Sequence, residues 1–224
     1  MDNSKCLVAV ATEIELPASF RKGKNFYFKK QITESFTADI LITGVGAVPT
    51  AYELTRVVDR YSFVLNLGVA GSFNSELEPG NVVLVRHDAF ADYGIDDQGR
   101  FTHIDNFPFS GNSTVQLSNM NNNFIDLLSL NLPVVKGITV ATASGSAERI
   151  AFLKRTFNPD IETMESAAVF YVCLRLGIPF LAMRAISNFV EPRNRNNWNL
   201  PLAVDRLWSE LPKILDSLAS KNFL

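Results

Sequence analysis

An α/β fold is what this sequence predicts, and three observations predict it. Short, continuously apolar runs bounded by turn residues recur at 5–11, 38–43, 63–67, 81–87, 134–141 and 180–186. Their length and composition read as buried strands. Stretches with helical spacing alternate with them, at 147–157, at 202–219 and in a buried helix that stops at Gly177. The length of 224 residues and a hydrophobic content of 47% suit one sizeable domain over 1–224.

Composition narrows the function classes. Net charge is −2 and no basic run or stripe occurs, so neither nucleic acid nor an anionic membrane is expected as a partner. The N-terminal apolar run is too short for a signal-peptide core, and no stretch approaches the roughly 18 apolar residues of a membrane span. Cys6 and Cys173 fall inside apolar elements, as expected of reduced core residues in a cytoplasmic protein. Neither His87 nor His103 has metal-ligand spacing around it. No metal or organic cofactor is expected.

The first run, KCLVAVA at 5–11, reads as a central strand that empties into Thr12-Glu13-Ile14-Glu15-Leu16. Taken alone, two acids there are a solvated loop; at the carboxyl edge of an α/β sheet they also face the ligand crevice. Residues 25–31 and 38–43 follow as strands, the aromatic first one at an edge or in a hairpin. Gly44-Val45-Gly46-Ala47-Val48-Pro49 opens a helix expected to reach about Arg60. Strand, GxG and helix share the outline of a dinucleotide-binding turn. Pro49, however, takes the third glycine position, and Asn66 stands where the next strand would carry a ribose-binding acid. Gly44 and Gly46 are therefore read as turn and packing glycines. The strand at 63–67 is expected to give way to a loop at 68–72, where Gly68 and Gly71 permit backbone approach to a ligand. Residues 88–112 are polar and turn-rich, suiting a lid or a subunit contact. An amphipathic helix is expected within 112–130, started or broken by the asparagines at 121–123. Pro212, inside the closing helix, predicts a kink or a restart.

Residues 161–198 concentrate the chemistry. Met164 and Glu165 sit at a helix mouth, where the macrodipole favours a carboxylate. In the next strand Arg184 is costly unless it meets an anion. Ser187 and Asn188 are expected just past that strand, at the carboxyl edge. One segment thus delivers a carboxylate, a guanidinium and an amide to one cleft.

Four stretches, ATEIE (11–15), NLGVAGSF (66–73), ETMESAA (162–168) and MRAISN (183–188), occur in this order and spacing. Together they resemble the nucleoside phosphorylase and nucleosidase superfamily over nearly the full chain. The segment SNFVEPRNRNNWNLPLA (187–203) is most similar to the futalosine-cleaving branch, with methylthioadenosine/S-adenosylhomocysteine nucleosidases the nearest relatives of that layout. The resemblance implies a three-layer α/β/α sandwich with a central mixed, partly barrel-like sheet. It implies a homodimer or higher homo-oligomer in which a neighbour helps close the pocket. It also implies hydrolysis of a small-molecule nucleoside, futalosine, to hypoxanthine and dehypoxanthine futalosine in menaquinone biosynthesis. On the family's pattern Glu15 is the water-activating acid with Glu13 as companion, Arg184 helps order that water, and Met164 and Glu165 hold the ribose. Val69, Ala70 and Gly71 are candidates for lining the substrate.

The residue types fit these tasks. An ionised Glu165 only accepts hydrogen bonds, matching a vicinal diol and a cationic sugar. A base such as Glu15 within reach of water contributes roughly 10²–10⁴ in rate. Asn188 stands where adenine-specific relatives carry aspartate. Its amide both donates and accepts, which fits O6 and a protonated N7 of a 6-oxopurine, with water left to protonate the leaving base. Those relatives carry an aromatic near Glu148; the loop SGSAERI leaves open whether Glu148 or Arg149 touches the purine. A glycine-rich, arginine-bearing phosphate loop is not evident at Gly23-Lys24 or elsewhere, favouring water over phosphate. Arg193 and Arg195, with Trp198, are candidates for a carboxylated aromatic group, and equally readable as solvated charges. The rivals are an adenine nucleosidase or purine nucleoside phosphorylase, a non-catalytic nucleoside-binding protein, and a nucleotide-cofactor oxidoreductase built on Gly44–Gly46.

Overall fold

The computed structural model describes residues 6–21, 27–34, 36–107, 115–128, 130–221 and 223. Its strands are β1 (Cys6–Val10), β2 (Tyr27–Gln31), β3 (Thr37–Ile42), β4 (Phe63–Ser72), β5 (Val82–Asp88), β6 (Gly94–Asp97), β7 (Arg100–His103), β8 (Met120–Asn121), β9 (Val134–Thr139), β10 (Ile161–Thr163) and β11 (Phe180–Phe189). Its helices are α1 (Ala47–Thr55), α2 (Ala147–Phe157), α3 (Ser166–Leu176) and α4 (Leu200–Ser220).

β1 lies parallel between β3 and β4, and β2 folds back antiparallel on β3 as an edge. On its other side β4 runs parallel to β11, which pairs antiparallel with β5; β5 and β9 are parallel, as are β9 and β10. β10 then returns to β4, antiparallel, at Gly71 and Ser72. Five strands therefore close into a ring, β4-β11-β5-β9-β10, from which β1, β3 and β2 extend as an open sheet. This is the mixed, barrel-like sheet the resemblance implied.

Both faces of the sheet are covered, which is why its strands read as unbroken apolar runs. Cys6, Val8 and Val10 turn toward α4, whose Leu207, Leu211, Ile214 and Leu215 share their core. Leu7 and Val64 turn the other way, toward Leu54 of α1 and Phe170 of α3. Beside the ring, Leu153 and Phe157 of α2 pack on Ile138. Cys6 and Cys173 are free and buried, and burial pushes both thiols up. Among the described residues no helix is long and apolar enough to cross a membrane.

The structure corrects several boundaries. β4 continues through Gly68–Gly71, expected as loop, because those residues pair with β10 and β11. β11 likewise carries Ser187 and Asn188 within it, with a register shift between Ile186 and Asn188. α1 stops at Thr55, and a 3-10 turn takes up Val58–Arg60. Within 112–130 the described residues form β8 and a 3-10 turn, Asn123–Leu127, and no α-helix. Asn122 is the reason: its side chain accepts from Phe124 N and donates to Phe180 O (2.9 Å), competing with a helical backbone. Residues 94–103 form a hairpin, β6–β7, and 108–114 lie outside the described residues. β10, three residues long, was not anticipated. α4 runs unbroken through Pro212, held by the buried stripe on either side of it. Gly23 and Lys24 lie outside the described residues.

Candidate active site

A cavity of about 330 Å³ opens where the carboxyl ends of β1, β4 and β11 meet the start of α3. Glu15, Met164, Glu165 and Asn188 line it, with Val69, Ala70 and Gly71 as a strip of β4 between them. Arg193 and Trp198 close its far side, the guanidinium 5.5 Å from the indole centroid.

Glu15 is fixed by three backbone N–H groups. Its Oε2 accepts from Ala11 (2.9 Å) and Thr12 (3.0 Å), its Oε1 from Val69 (3.1 Å). The acid thus ties the exit of β1 to the middle of β4 and ends a 3-10 turn, Glu13–Glu15. Burial pushes its carboxyl above the ordinary range and the nearby Glu165 adds to the rise; the Thr12 and Val69 N–H groups and Arg184 oppose it. A carboxyl held this way is poised to take a proton.

Glu165 precedes the first turn of α3, and its Oε1 accepts from Gly46 N at 2.8 Å. Gly44 and Gly46 both have positive φ, +88° and +97°, which turns the Gly46 N–H toward that carboxylate. Here lies the use of the GxG turn: it presents a donor. Glu165 is pushed up by burial, with Gly46 N–H and Arg184 opposing.

Three expected site residues stand outside the cavity wall. Arg184 is 1% exposed and lies behind the wall rather than in it. Its guanidinium donates to the carbonyls of Asn66 (3.0 Å) and Met183 (2.9 Å), to Asn66 Oδ1, and to Ser166 Oγ (2.7 Å). The anions it was expected to meet act on it through space: Glu165, Glu15 and Asp88 hold its charge against burial. Glu13 starts the turn that Glu15 ends but is not part of the cavity wall, which Ala11, Thr12, Ile14 and Glu15 around it line. Arg195 begins an exposed 3-10 turn, Arg195–Asn197, and only Arg193 of the pair lines the cavity. Glu148 and Arg149 also stay out of the wall; Arg149 pairs with Asp92 and lies over Phe152.

The Asn188 amide has a defined orientation. Nδ2 donates to Phe189 O at 2.8 Å, which a flipped amide would turn into a clash of acceptors, and Oδ1 accepts from Ser187 Oγ at 2.7 Å. Each amide atom keeps capacity for one more bond, and Asn188 is part of the cavity wall.

Sequence reasoning missed Glu162 and Ser144, which line the cavity, and Trp208, whose Nε1 donates to Glu15 O at 2.7 Å. Glu162 sat in a stretch already singled out, two residues before Met164. Trp208 carried no local signal, since only the docking of α4 brings it to residue 15.

The sequence profile of the Phosphorylase superfamily matches residues 8–216. A futalosine hydrolase of Thermus thermophilus is 26% identical over 223 residues, covering 93% of this chain and 94% of that one. A 5'-methylthioadenosine/S-adenosylhomocysteine nucleosidase of Bacillus pumilus is 30% identical over 172 residues, 72% of each chain. Among solved structures, futalosine hydrolase of Helicobacter pylori superimposes with a TM-score of 0.77 at 18% identity, over 95% of this chain and 97% of that one. That likeness is one of fold.

Proposed function

The chain belongs to the phosphorylase superfamily, and we propose that within it this protein is a nucleosidase that hydrolyses futalosine and releases hypoxanthine. The observation that carries the substrate reading is Asn188: an amide of fixed orientation, with one donor and one acceptor position left, stands in the cavity wall. It suits the O6 and N7 edge of a 6-oxopurine. The futalosine hydrolase of Thermus thermophilus, similar over nearly the whole of both chains, supports the same reading.

In this reading Glu165 uses its remaining lone pairs on the ribose hydroxyls and adds negative charge beside a sugar that turns oxocarbenium-like. Glu15 takes a proton from the attacking water. Arg184 favours the ionised form of Glu15 through its field, against the rise that burial and Glu165 impose, without touching substrate or water. Arg193 and Trp198 receive the carboxylated aromatic end, one by charge and the other by its ring. No metal or organic cofactor enters. A second copy of the chain covers the cavity mouth, a role for which the exposed Val45 in the cavity wall and the exposed Val48 and Tyr52 of α1 are suited. Two free buried thiols suit a reducing cytoplasm.

The test is release of free base from futalosine, inosine and methylthioadenosine, each with and without phosphate. Hypoxanthine from futalosine, independent of phosphate, is expected. Adenine release would favour the nucleosidase reading that the Bacillus pumilus relative supports, and phosphate dependence would favour a phosphorylase.

A further inference from the structure

A second buried carboxylate stands in the cavity wall beside Glu15, and neither sugar nor water needs it. Glu162 is 8% exposed and lies on β10. It faces Gly71 across the antiparallel β10–β4 pair, and Gly71 faces Asn188 across the parallel β4–β11 pair. Cross-strand partners turn their side chains to one face of a sheet. Glu162 and Asn188 therefore rise from the same floor two strand spacings apart, about 10 Å between backbones, with only a glycine between. A side chain at that glycine would meet Val190 Cγ2 at 2.8 Å and Asn188 Nδ2 at 3.3 Å, so the floor stays flat. Its shape suits an aromatic plate lying over Gly71 with a polar group at each edge.

Ser144 fixes the carboxylate. Its N–H donates to Oε1 at 2.8 Å and its Oγ to Oε2 at 2.5 Å. Each oxygen keeps a further lone pair, and an ionised carboxylate has only acceptors to offer. Around a 6-oxopurine ring the neighbour of O6 is N1–H, a donor; in adenine the same position is a bare acceptor. Glu162 attracts the first and repels the second.

We propose that Glu162 is a specificity-determining residue that accepts the N1–H of a 6-oxopurine while Asn188 takes its O6 and N7 edge. The proposal rests on the nucleosidase reading above and gives it a second point of contact with the base. Together the two side chains read both sides of O6.

Binding of free hypoxanthine, adenine and 1-methylhypoxanthine by titration calorimetry tests it, on wild type, Glu162→Gln and Ser144→Ala. Wild type is expected to bind hypoxanthine at least tenfold tighter than adenine and than 1-methylhypoxanthine, whose N1 carries no hydrogen. Glu162→Gln, which offers an N–H to adenine N1, is expected to move the hypoxanthine-to-adenine ratio at least tenfold toward adenine. Ser144→Ala should move it less, in the same direction. An unchanged ratio in Glu162→Gln, or equal wild-type binding of hypoxanthine and 1-methylhypoxanthine, would overturn the proposal; the second needs no variant to fold. Base binding is read without turnover. Wild type that prefers hypoxanthine but cleaves no futalosine would sink the substrate reading and leave Glu162 standing.

Discussion

Glu15 and Arg184 meet across a missing side chain. A Cβ on Gly68 would stand 2.8 Å from Glu15 Oε1 and 3.6 Å from Arg184 Nε. The two residues come from opposite ends of the sequence, and one glycine of β4 sets how closely acid and guanidinium approach. The Glu15 carboxylate is held by three backbone donors, so it has little freedom to yield. Gly68→Ala is therefore expected to displace the acid and lower kcat on the order of 10²-fold. Steady-state kinetics beside a melting curve check this: kcat unchanged in a folded variant would show that Glu15's position is not set here.

Glu15→Gln removes the base and nearly preserves shape. One of its two ends must then present N–H to a backbone N–H, at Val69 or at Ala11 and Thr12, costing about 1–3 kcal/mol of stability. The larger effect is expected in rate, a loss of about 10²–10⁴ in kcat. Single-turnover kinetics measure it.

Stability should fall with rising pH. Burial pushes the Asp88 carboxyl up to about 7 from an ordinary 3.8, opposed by Thr139 Oγ1 and by Arg184. Folding takes up a proton wherever the unfolded chain has lost it and the folded chain has not. The cost of Asp88 is therefore absent below about pH 4, grows through the interval, and is complete above about pH 7. Glu15, Glu162 and Glu165 are raised too and act in the same sense. Asp88→Asn is expected to shrink the drop in Tm between pH 5 and pH 8 by about 2–10 °C. An equal drop in both proteins would remove Asp88 as its source.

Arg193 and Arg195 should separate. Arg193 lines the cavity against Trp198, and Arg195 sits on an exposed turn outside it. Arg193→Ala is expected to raise KM for futalosine about tenfold, a loss of roughly 1.4 kcal/mol, and to leave KM for inosine unchanged. Arg195→Ala should alter neither. Equal KM values in both variants would place the carboxylate elsewhere.

Trp208→Phe keeps the ring edge against Phe20 and deletes the bond to Glu15 O. A stability loss of about 0.5–1.5 kcal/mol is expected, with a several-fold fall in kcat as the turn bearing Glu15 loosens. Denaturant melts and kcat together check it; a stability loss with full kcat would confine Trp208 to packing.

The sheet was legible because its strands are covered on both sides and so read as unbroken apolar runs. Local geometry was less so. Gly68–Gly71 looked like a loop because glycine weakens any strand signal, yet neighbours 90 to 120 residues away in sequence hold it extended. β10 is too short to announce itself. Within the candidate site, Glu15, Met164, Glu165 and Asn188 were found from their stretches, and the fold gathers them around one cavity. Arg184 was expected beside them because an arginine in an apolar strand needs anions. Carbonyls, Asn66 and Ser166 meet most of that need instead, which spacing could not reveal.

The ring also sets a timetable for synthesis. β1 and β3 can dock on one side of β4 once residue 72 has left the ribosome, but the other side waits for β11, beginning at Phe180. At about 5–20 residues per second that interval lasts roughly 5–20 s. Throughout it, a strand with Val64, Leu65 and Leu67 fully buried in the finished fold offers an unpaired edge. Nascent chains of this protein should therefore engage chaperones through residues 63–67, and release should follow the emergence of β11.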